Sequence, residues 1–475
     1  MEIRQFKADE RSRRLLSMAH RAWEHWHGLR TTRERCKRFT YGDQWSDMIR
    51  DEDGSFSTAY DNAVRNGRRP MTNNLIRSMV KSVIGRFRLA TEQEPSTRSE
   101  RLQLIYDNNQ LDELDSRMLE EFLISGCAIQ RVVDEIRTVG QGPWVDNVNP
   151  RMFFVNEMND PRGFDIELIG MMHQMSLGEA LIRFGGDSLQ SIGALRSLLS
   201  NNNLGEWQPS LFSAGEPDFL TNSNGRCNIA EIWTLESRAV WRCHDKSTGQ
   251  YYEFDNSFIK RIEEENNYRA ANGIPPIVTR LTHTVKWHCR WITPNGVVLD
   301  EYDSPYAHGS HPFIVKFYPL IDSEVHSLVS DVLEQQVNIN RLMTTMDYIM
   351  GTAAKGALLI PANQIPAGTD MSMMARNWAS PDGVIVYNGD KSLAEPKQLT
   401  SMGNTAGASE LLHMQLQMFG DVSGVNKALQ GNISTTAGGA RLYESQVENS
   451  NIAIKDLILT FMHFRRQRDQ KVLNL

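Results

Sequence analysis

From Ser323 to Met350 the chain runs for 28 residues without a glycine or a proline. Val325, Leu328, Val329, Val332, Ile339, Leu342, Met343, Met346 and Ile349 recur there at the three-to-four spacing of a single helix face. At 1.5 Å per residue the stretch predicts a rod of roughly 40 Å. Its other face carries Asp331, Glu334, Gln335, Asn338 and Arg341, and the whole stretch holds more acids than bases.

Beyond the rod the chain changes in kind. Residues 351–400 carry Gly351, Gly356, Pro361, Pro366, Gly368, Pro381, Gly383 and Pro396 around short apolar runs, "ALLIP" and "GVIVYN", which read as loops and strands. Such an insert is too small for an independent domain. A second helix is expected from about Ala406 to Phe419, then the polar stretch "LQGNISTTAGGARL" (Leu429 to Leu442), then a third helix from about Gly439 to the end.

The N-terminal part reads as mixed helix and strand. Residues 10–36 place Leu15, Met18, Ala22 and Trp26 on one stripe of an amphipathic helix. "RRPMTNNLIRSMVKSVIGRF" opens on a proline and the polar Thr72, Asn73 and Asn74, then puts Leu75, Met79, Val80, Val83 and Phe87 on one face. "LDELDSRMLEEFLISGCAIQRVVDEI" predicts an acidic-first helix stopped near Gly126 and a strand from Ile129 to Val133. "NPRMFFVNE" is expected as a strand and residues 176–222 as short helices and a polar surface stretch. Cys227 to Phe317 then reads as β structure interrupted by one charged helix near Phe258 to Ala270. The fold class is therefore α+β, and 475 residues allow two to four domains.

Function classes narrow by exclusion. No run of about 18 apolar residues occurs. Cys36, Cys127, Cys227, Cys243 and Cys289 are scattered without CxxC spacing and read as reduced thiols. A net charge of −7 excludes a uniformly basic, tight nucleic-acid binder, so any DNA contact is local or sliding. Neither GxxxxGK[ST], GxSxG nor HExxH is present, and "GDKSL" at Gly389 lacks phosphate-cradling glycines.

Three clusters have both a chemical and a structural reading. Cys243–His244, His288–Cys289 and His283 are ligand types for zinc, but adjacent strand residues point to opposite faces, which favours a packing role. The acids of "DELDSRMLEE" suit a magnesium ion, yet a solvated helix face explains them more simply. Methionines such as Met171, Met172, Met371, Met373 and Met374 read as fillers of irregular cores or subunit contacts. In "FTYGDQW", Gly42 and Asp43 start a turn, Gln44 is unremarkable, and Trp45 is expected to anchor it, a structural motif without catalysis.

Taken in order, "FTYGDQW", "RRPMTNNLIRSMVKSVIG", "NPRMFFVN", "HPFIVKFYPLIDSEVHSLVSDVLEQQVNINRLMTTMDY" and "GDVSGVNKALQGNISTTAGGARLYESQ" resemble the portal proteins of tailed bacteriophages, in particular the podovirus branch. The matching blocks run in family order from about residue 35 to 450.

The resemblance implies a portal fold: a helical and β wing, a two-helix stem, a small β-containing clip and a long tunnel helix. It implies assembly as a ring, usually of twelve copies, around a channel for double-stranded DNA. It would map residues 1–322 to the wing, 323–350 and 402–423 to the stem, 351–401 to the clip, 424–438 to a tunnel loop and 439–475 to the tunnel helix. A crown would be absent or truncated, because the chain stops at "FRRQRDQKVLNL". Terminase, tail adaptor and major capsid protein are the implied partners, the portal vertex of the virion the location, with assembly in the host cytoplasm. No cofactor or metal is implied.

On this mapping the loop residues Asn426, Lys427, Gln430, Asn432, Ser434, Thr435, Thr436 and Arg441 would touch passing DNA through weak, exchangeable hydrogen bonds. Few cations suit a duplex that must move, since each released counterion tightens the grip. Asp331, Glu334, Gln335, Asn338 and Arg341 would face the channel and lower friction. A metal-dependent nuclease or other DNA-packaging enzyme is the alternative, and a shell or adaptor protein a third reading.

Overall fold

The computed structural model describes residues 8–475 except 52, 93, 95–97, 138–139, 187, 202–225, 354–356, 380–384, 390–395, 400–404, 426–451 and 453. Its N-terminal elements are α1 (Glu10–His25), α2 (His27–Tyr41), β1 (Met48–Arg50), β2 (Phe56–Thr58), α3 (Ala59–Arg65), α4 (Leu75–Thr91), α5 (Glu100–Asn109) and α6 (Leu111–Ser125). Next come β3 (Cys127–Arg137), β4 (Gly140–Asn147), β5 (Phe153–Val155), β6 (Leu168–Ser176), α7 (Leu177–Phe184) and α8 (Leu189–Asn201). The β-rich part holds β7 (Arg226–Asp245), β8 (Gln250–Asp255), α9 (Ile259–Ala271), β9 (Ile277–Ile292), β10 (Val298–Asp303) and β11 (Phe313–Phe317). Two short strands, β12 (Pro319–Ile321) and β13 (Glu324–Val325), lead into α10 (Leu328–Ala353). The chain closes with β14 (Ala357–Leu359), α11 (Met371–Ala379), β15 (Lys397–Leu399), α12 (Thr405–Ser423) and α13 (Lys455–Leu473).

The β-rich part forms a six-stranded sheet in the order β10-β9-β7-β6-β5, with β8 paired to β7, and β11-β3-β4 form a second sheet. Alternation along the strands divides the first sheet's side chains between two cores. Leu168, Met172, Ala230, Ile232 and Ile292 pack under α1 with Leu15, Leu16, Ala19 and Trp23. Ile169, Met175, Ile229, Trp233 and Trp291 face the other way, toward Ile129, Phe313 and Phe317 of the second sheet and Phe184 of α7. A buried ion pair crosses this layer: Arg131 Nε lies 3.1 Å from Glu231, whose other contacts are His173 Nε2 at 2.7 Å and the Trp233 indole N–H at 2.9 Å.

The third core is helical and contains residues of α2, α4–α6, α10, α12 and α13. Gly126 ends α6 in the left-handed region, and a Cβ there would sit 2.7 Å from Val325 Cγ1, so glycine is required on both counts.

Several expectations change. The single helix over 10–36 is two helices, broken at Trp26, whose indole donates to Val155 O and stacks on Phe317 at 4.6 Å; tertiary contacts override the helical pattern. The rod begins at Leu328, not Ser323: Asp322 and Ser323 have positive φ in the turn between β12 and β13, and the Ser327 hydroxyl accepts the Ser330 N–H at the helix start. "GVIVYN" forms no strand over its described residues 385–388, and α11 occupies a stretch read as loop. Met371 and Met373 are more than 60% exposed there, so they fill no core within the chain.

Candidate functional site

α10 is 26 residues long, a rod of about 39 Å with two dissimilar faces. Asp331, Glu334, Asn338 and Arg341 lie exposed at three-to-four spacing, while Gln335 is half-buried. Glu334 is held by Arg35 of α2 at 3.0 Å, and Arg35 also binds Asp47 at 2.8 Å. Burial raises the Asp331 carboxyl above its ordinary value, while His326 pulls it down.

The buried face carries a polar stripe, Gln336, Asn340 and Thr344, among Val329, Val332, Leu333 and Ile339. Thr344 Oγ1 accepts the Met71 N–H at 3.0 Å, Asn340 Oδ1 the Asn73 N–H at 3.1 Å, and Gln336 Oε1 the Leu75 N–H at 3.0 Å. The match is geometric: two residues of extended chain advance about 6.6 Å and four residues of helix 6 Å, so every second N–H meets every fourth side chain. Gln336 Nε2 returns a hydrogen bond to Asn73 O at 2.6 Å, and Asn74 then caps α4 by accepting the Arg77 N–H.

Asn340 Nδ2 continues the ladder to Gln44 Oε1 at 2.6 Å, and Gln44 Nε2 donates to Phe39 O at 2.8 Å. The "GDQW" turn is therefore anchored by Gln44, which is buried. Trp45 is only half-buried, its indole donating to Thr72 Oγ1. Gly42 takes the left-handed conformation at the end of α2, and the exposed Asp43 donates its N–H to Arg38 O. Three blocks far apart in sequence, Gly42–Trp45, Met71–Ile76 and Gln336–Thr344, form one network.

Of the acids of α6, Asp112 and Glu113 lie on a solvated face, but Asp115, Glu120 and Glu121 do not. Asp115 is buried between Arg465 (2.7 Å) and Arg468 (2.5 Å) of α13. Glu120 binds Arg77 and Tyr41, Glu121 binds Arg33 at 2.6 Å, and Glu113 binds Arg88 and Arg117. Burial alone would raise the Asp115 carboxyl, but Arg468 and Arg465 hold it below its usual range. Tyr106 joins the cluster by accepting from Arg468 and donating to Asp469, and burial pushes its phenol up to about 12. Nearby, Lys471 donates to the backbone oxygens of His311 and Phe313.

The cysteine and histidine pairs are not one site. Cys243 is opposite Thr279 and Cys289 opposite Trp233 on the β7–β9 ladder, ten residues apart along β9, or about 33 Å. His244 stacks on Tyr251 at 4.3 Å, and His288 is engaged by Asp303 at 2.7 Å. Among the described residues no group of three or more His, Cys, Asp or Glu side chains is arranged to hold a metal, and no helix is long and apolar enough to cross a membrane.

The loop residues Asn426, Lys427, Gln430, Asn432, Ser434, Thr435, Thr436 and Arg441 lie outside the described residues. The polar ladder and the Asp115 cluster are absent from the sequence-based assignment. The spacing of Gln336, Asn340 and Thr344 on one helix face is the signal that could have found the first.

Compared with known proteins, the chain matches the sequence model described as phage P22-like portal protein over residues 16–468. No curated protein matches it significantly.

Proposed function

The chain belongs to the phage P22-like portal protein family, and on that premise we propose that it is one subunit of a closed ring through which double-stranded DNA passes during packaging and ejection. The observation that carries this reading is the arrangement of α10 and α12. The two helices pack on one another, and the insert between them leaves and returns through one antiparallel strand pair, Ala357 opposite Leu399. A helix pair joined through an insert that leaves and returns side by side is the form a stem and clip require.

In this reading α10 and α12 are the stem, residues 351–401 the clip that docks terminase and later the tail adaptor, residues 1–322 the wing facing the capsid shell, and 424–438 the tunnel loop. The exposed acids Asp331 and Glu334 turn phosphates away from the channel wall, with Asn338 and Arg341 beside them. α12 exposes Leu411, Met414, Met418 and Val422, each 40–49% accessible, on a stripe fit to pack on the next subunit. The role is structural rather than enzymatic.

Native mass spectrometry with negative-stain class averages tests the reading. A closed ring near twelve subunits, with an opening wide enough for a duplex of about 20 Å, is the expected result. A stable monomer under every assembly condition overturns it. Removing the glycines and polar side chains of 426–441 then tests whether that loop meters DNA passage, since unchanged packaging would exclude such a role.

A further inference from the structure

We propose that the six-stranded sheet joins copies of this chain edge to edge, the free edge of β8 in one copy pairing in parallel with the free edge of β9 in the next. The inference rests on the ring reading and adds a second seam to it, away from the stem.

Beyond β6 and β10 the sheet narrows to three strands. Val240–Asp245 of β7 is flanked by β8 on one side and by Ile277–Thr282 of β9 on the other. Among the described residues β8 pairs with no strand but β7, and β10 pairs with β9 only from His288 to Ile292. Except at Ile277, whose N–H and C=O are taken by the Asn266 side chain of α9, each outer edge therefore lacks a strand partner for its backbone donors and acceptors. The β9 edge is strongly β-forming, with Ile277, Val278, Thr279, Thr282, Thr284 and Val285, and it carries neither a proline nor a register shift.

The side chains on the two edges are complementary at matched heights. Glu253, Arg242 and Arg280 form one cross-strand row. Arg242 binds Glu253 at 2.7 Å, which leaves Arg280 exposed, opposite a like charge and without an ion-pair partner among the described residues. Like charges directly opposite are destabilising, so the row lacks an acid on its β9 side. The next row is Tyr251, His244 and Val278, with Tyr251 68% and Val278 45% exposed. Phe254 and Leu281, the latter 49% exposed, end a third row through Trp241.

β7 is antiparallel to both neighbours, so β8 and β9 run in the same direction. Rotation about a ring axis keeps the sense of a strand along that axis, and a head-to-tail contact of this kind closes when the rotation closes. The junction sets Glu253 of one copy beside Arg280 of the next, Tyr251 beside Val278 and Phe254 beside Leu281. Each is an opposite-charge or aromatic–aliphatic pair of the type that stabilises sheets. This matching of height, charge and shape selects a second copy as the occupant.

The test is disulfide trapping in the full chain carrying Tyr251→Cys and Val278→Cys. Within one chain these positions are separated by β7, two strand spacings or roughly 10 Å, beyond the reach of about 7 Å for a disulfide. The native cysteines are free and buried. Rings that oxidise to a ladder of covalent multimers, absent in either single-cysteine variant, are the expected result. Rings that form without a ladder overturn the edge pairing and leave the ring standing. A chain that neither assembles nor links overturns both, while linked species of no fixed size support the pairing and overturn ring closure. Independently, Arg280→Glu is expected to weaken association up to about fivefold per junction, and adding Glu253→Arg to restore it; no change on either substitution counts against the charged row.

Discussion

Asn340 Nδ2 lies 2.6 Å from Gln44 Oε1, so the middle of the long helix α10 is tied directly to the turn that follows α2. Both side chains are buried, and Asn340 also accepts the Asn73 N–H. Asn340→Ala removes a hydrogen-bond partner from the buried Gln44 and Gln336 amides and from the Asn73 N–H, and is expected to cost about 2–3 kcal/mol of unfolding free energy, measured by denaturant titration. In a double-mutant cycle with Gln44→Ala the losses should fall short of additivity by roughly 1 kcal/mol or more. Strict additivity would mean the pair contributes no coupling.

Asp115 neutralises two arginines of α13 in the helical core. Asp115→Asn strands that charge, and a loss of roughly 3–5 kcal/mol is expected, with hydrogen exchange accelerating across Lys455–Leu473. Because the folded carboxyl lies below its unfolded value of 3.8, its contribution is present above that pH and disappears as the pH falls through the folded value. The stability gap between wild type and variant should therefore narrow in acid. A gap independent of pH would dismiss the linkage.

Lys471 titrates in the opposite sense. Burial lowers its amine from 10.5 to about 7, with His311 and His308 nearby also held neutral by burial. Between those pH values the unfolded chain binds the proton that the folded chain has released, so stability rises with pH. Lys471→Met should flatten that rise between pH 7 and 10 in thermal unfolding. Parallel curves for the two proteins would place the slope elsewhere.

Met414 and Met418 share the exposed stripe of α12. Met414→Glu with Met418→Glu should abolish ring formation in native mass spectrometry and change the unfolding of the isolated chain by no more than about 0.5 kcal/mol. Normal rings from this variant would remove α12 from the subunit contact.

Local periodicity carried much of the fold. α4, α6 and α10 follow from apolar spacing, and Asn74 and Gly126 mark boundaries as their chemistry demands. What escaped depends on partners remote in sequence. The acids of α6 look solvated until Arg465 and Arg468, some 350 positions away, are folded onto Asp115. Trp26 fits a helical stripe and breaks the helix because Val155 and Phe317 claim its ring. Gln336, Asn340 and Thr344 sit beside the apolar stripe without announcing which backbone they receive. The polar face of α10 was legible in composition, but its ion pair to Arg35 was not.

The insert between α10 and α12 enters through Ala357–Leu359 and leaves through Lys397–Leu399, strands that pair residue for residue. Its two ends are therefore neighbours across one ladder, about 5 Å apart. Any segment whose termini meet at that spacing could be grafted there without moving the helices on either side. The chain thus carries this insert as an exchangeable cassette, free to diverge while the frame that supports it stays fixed.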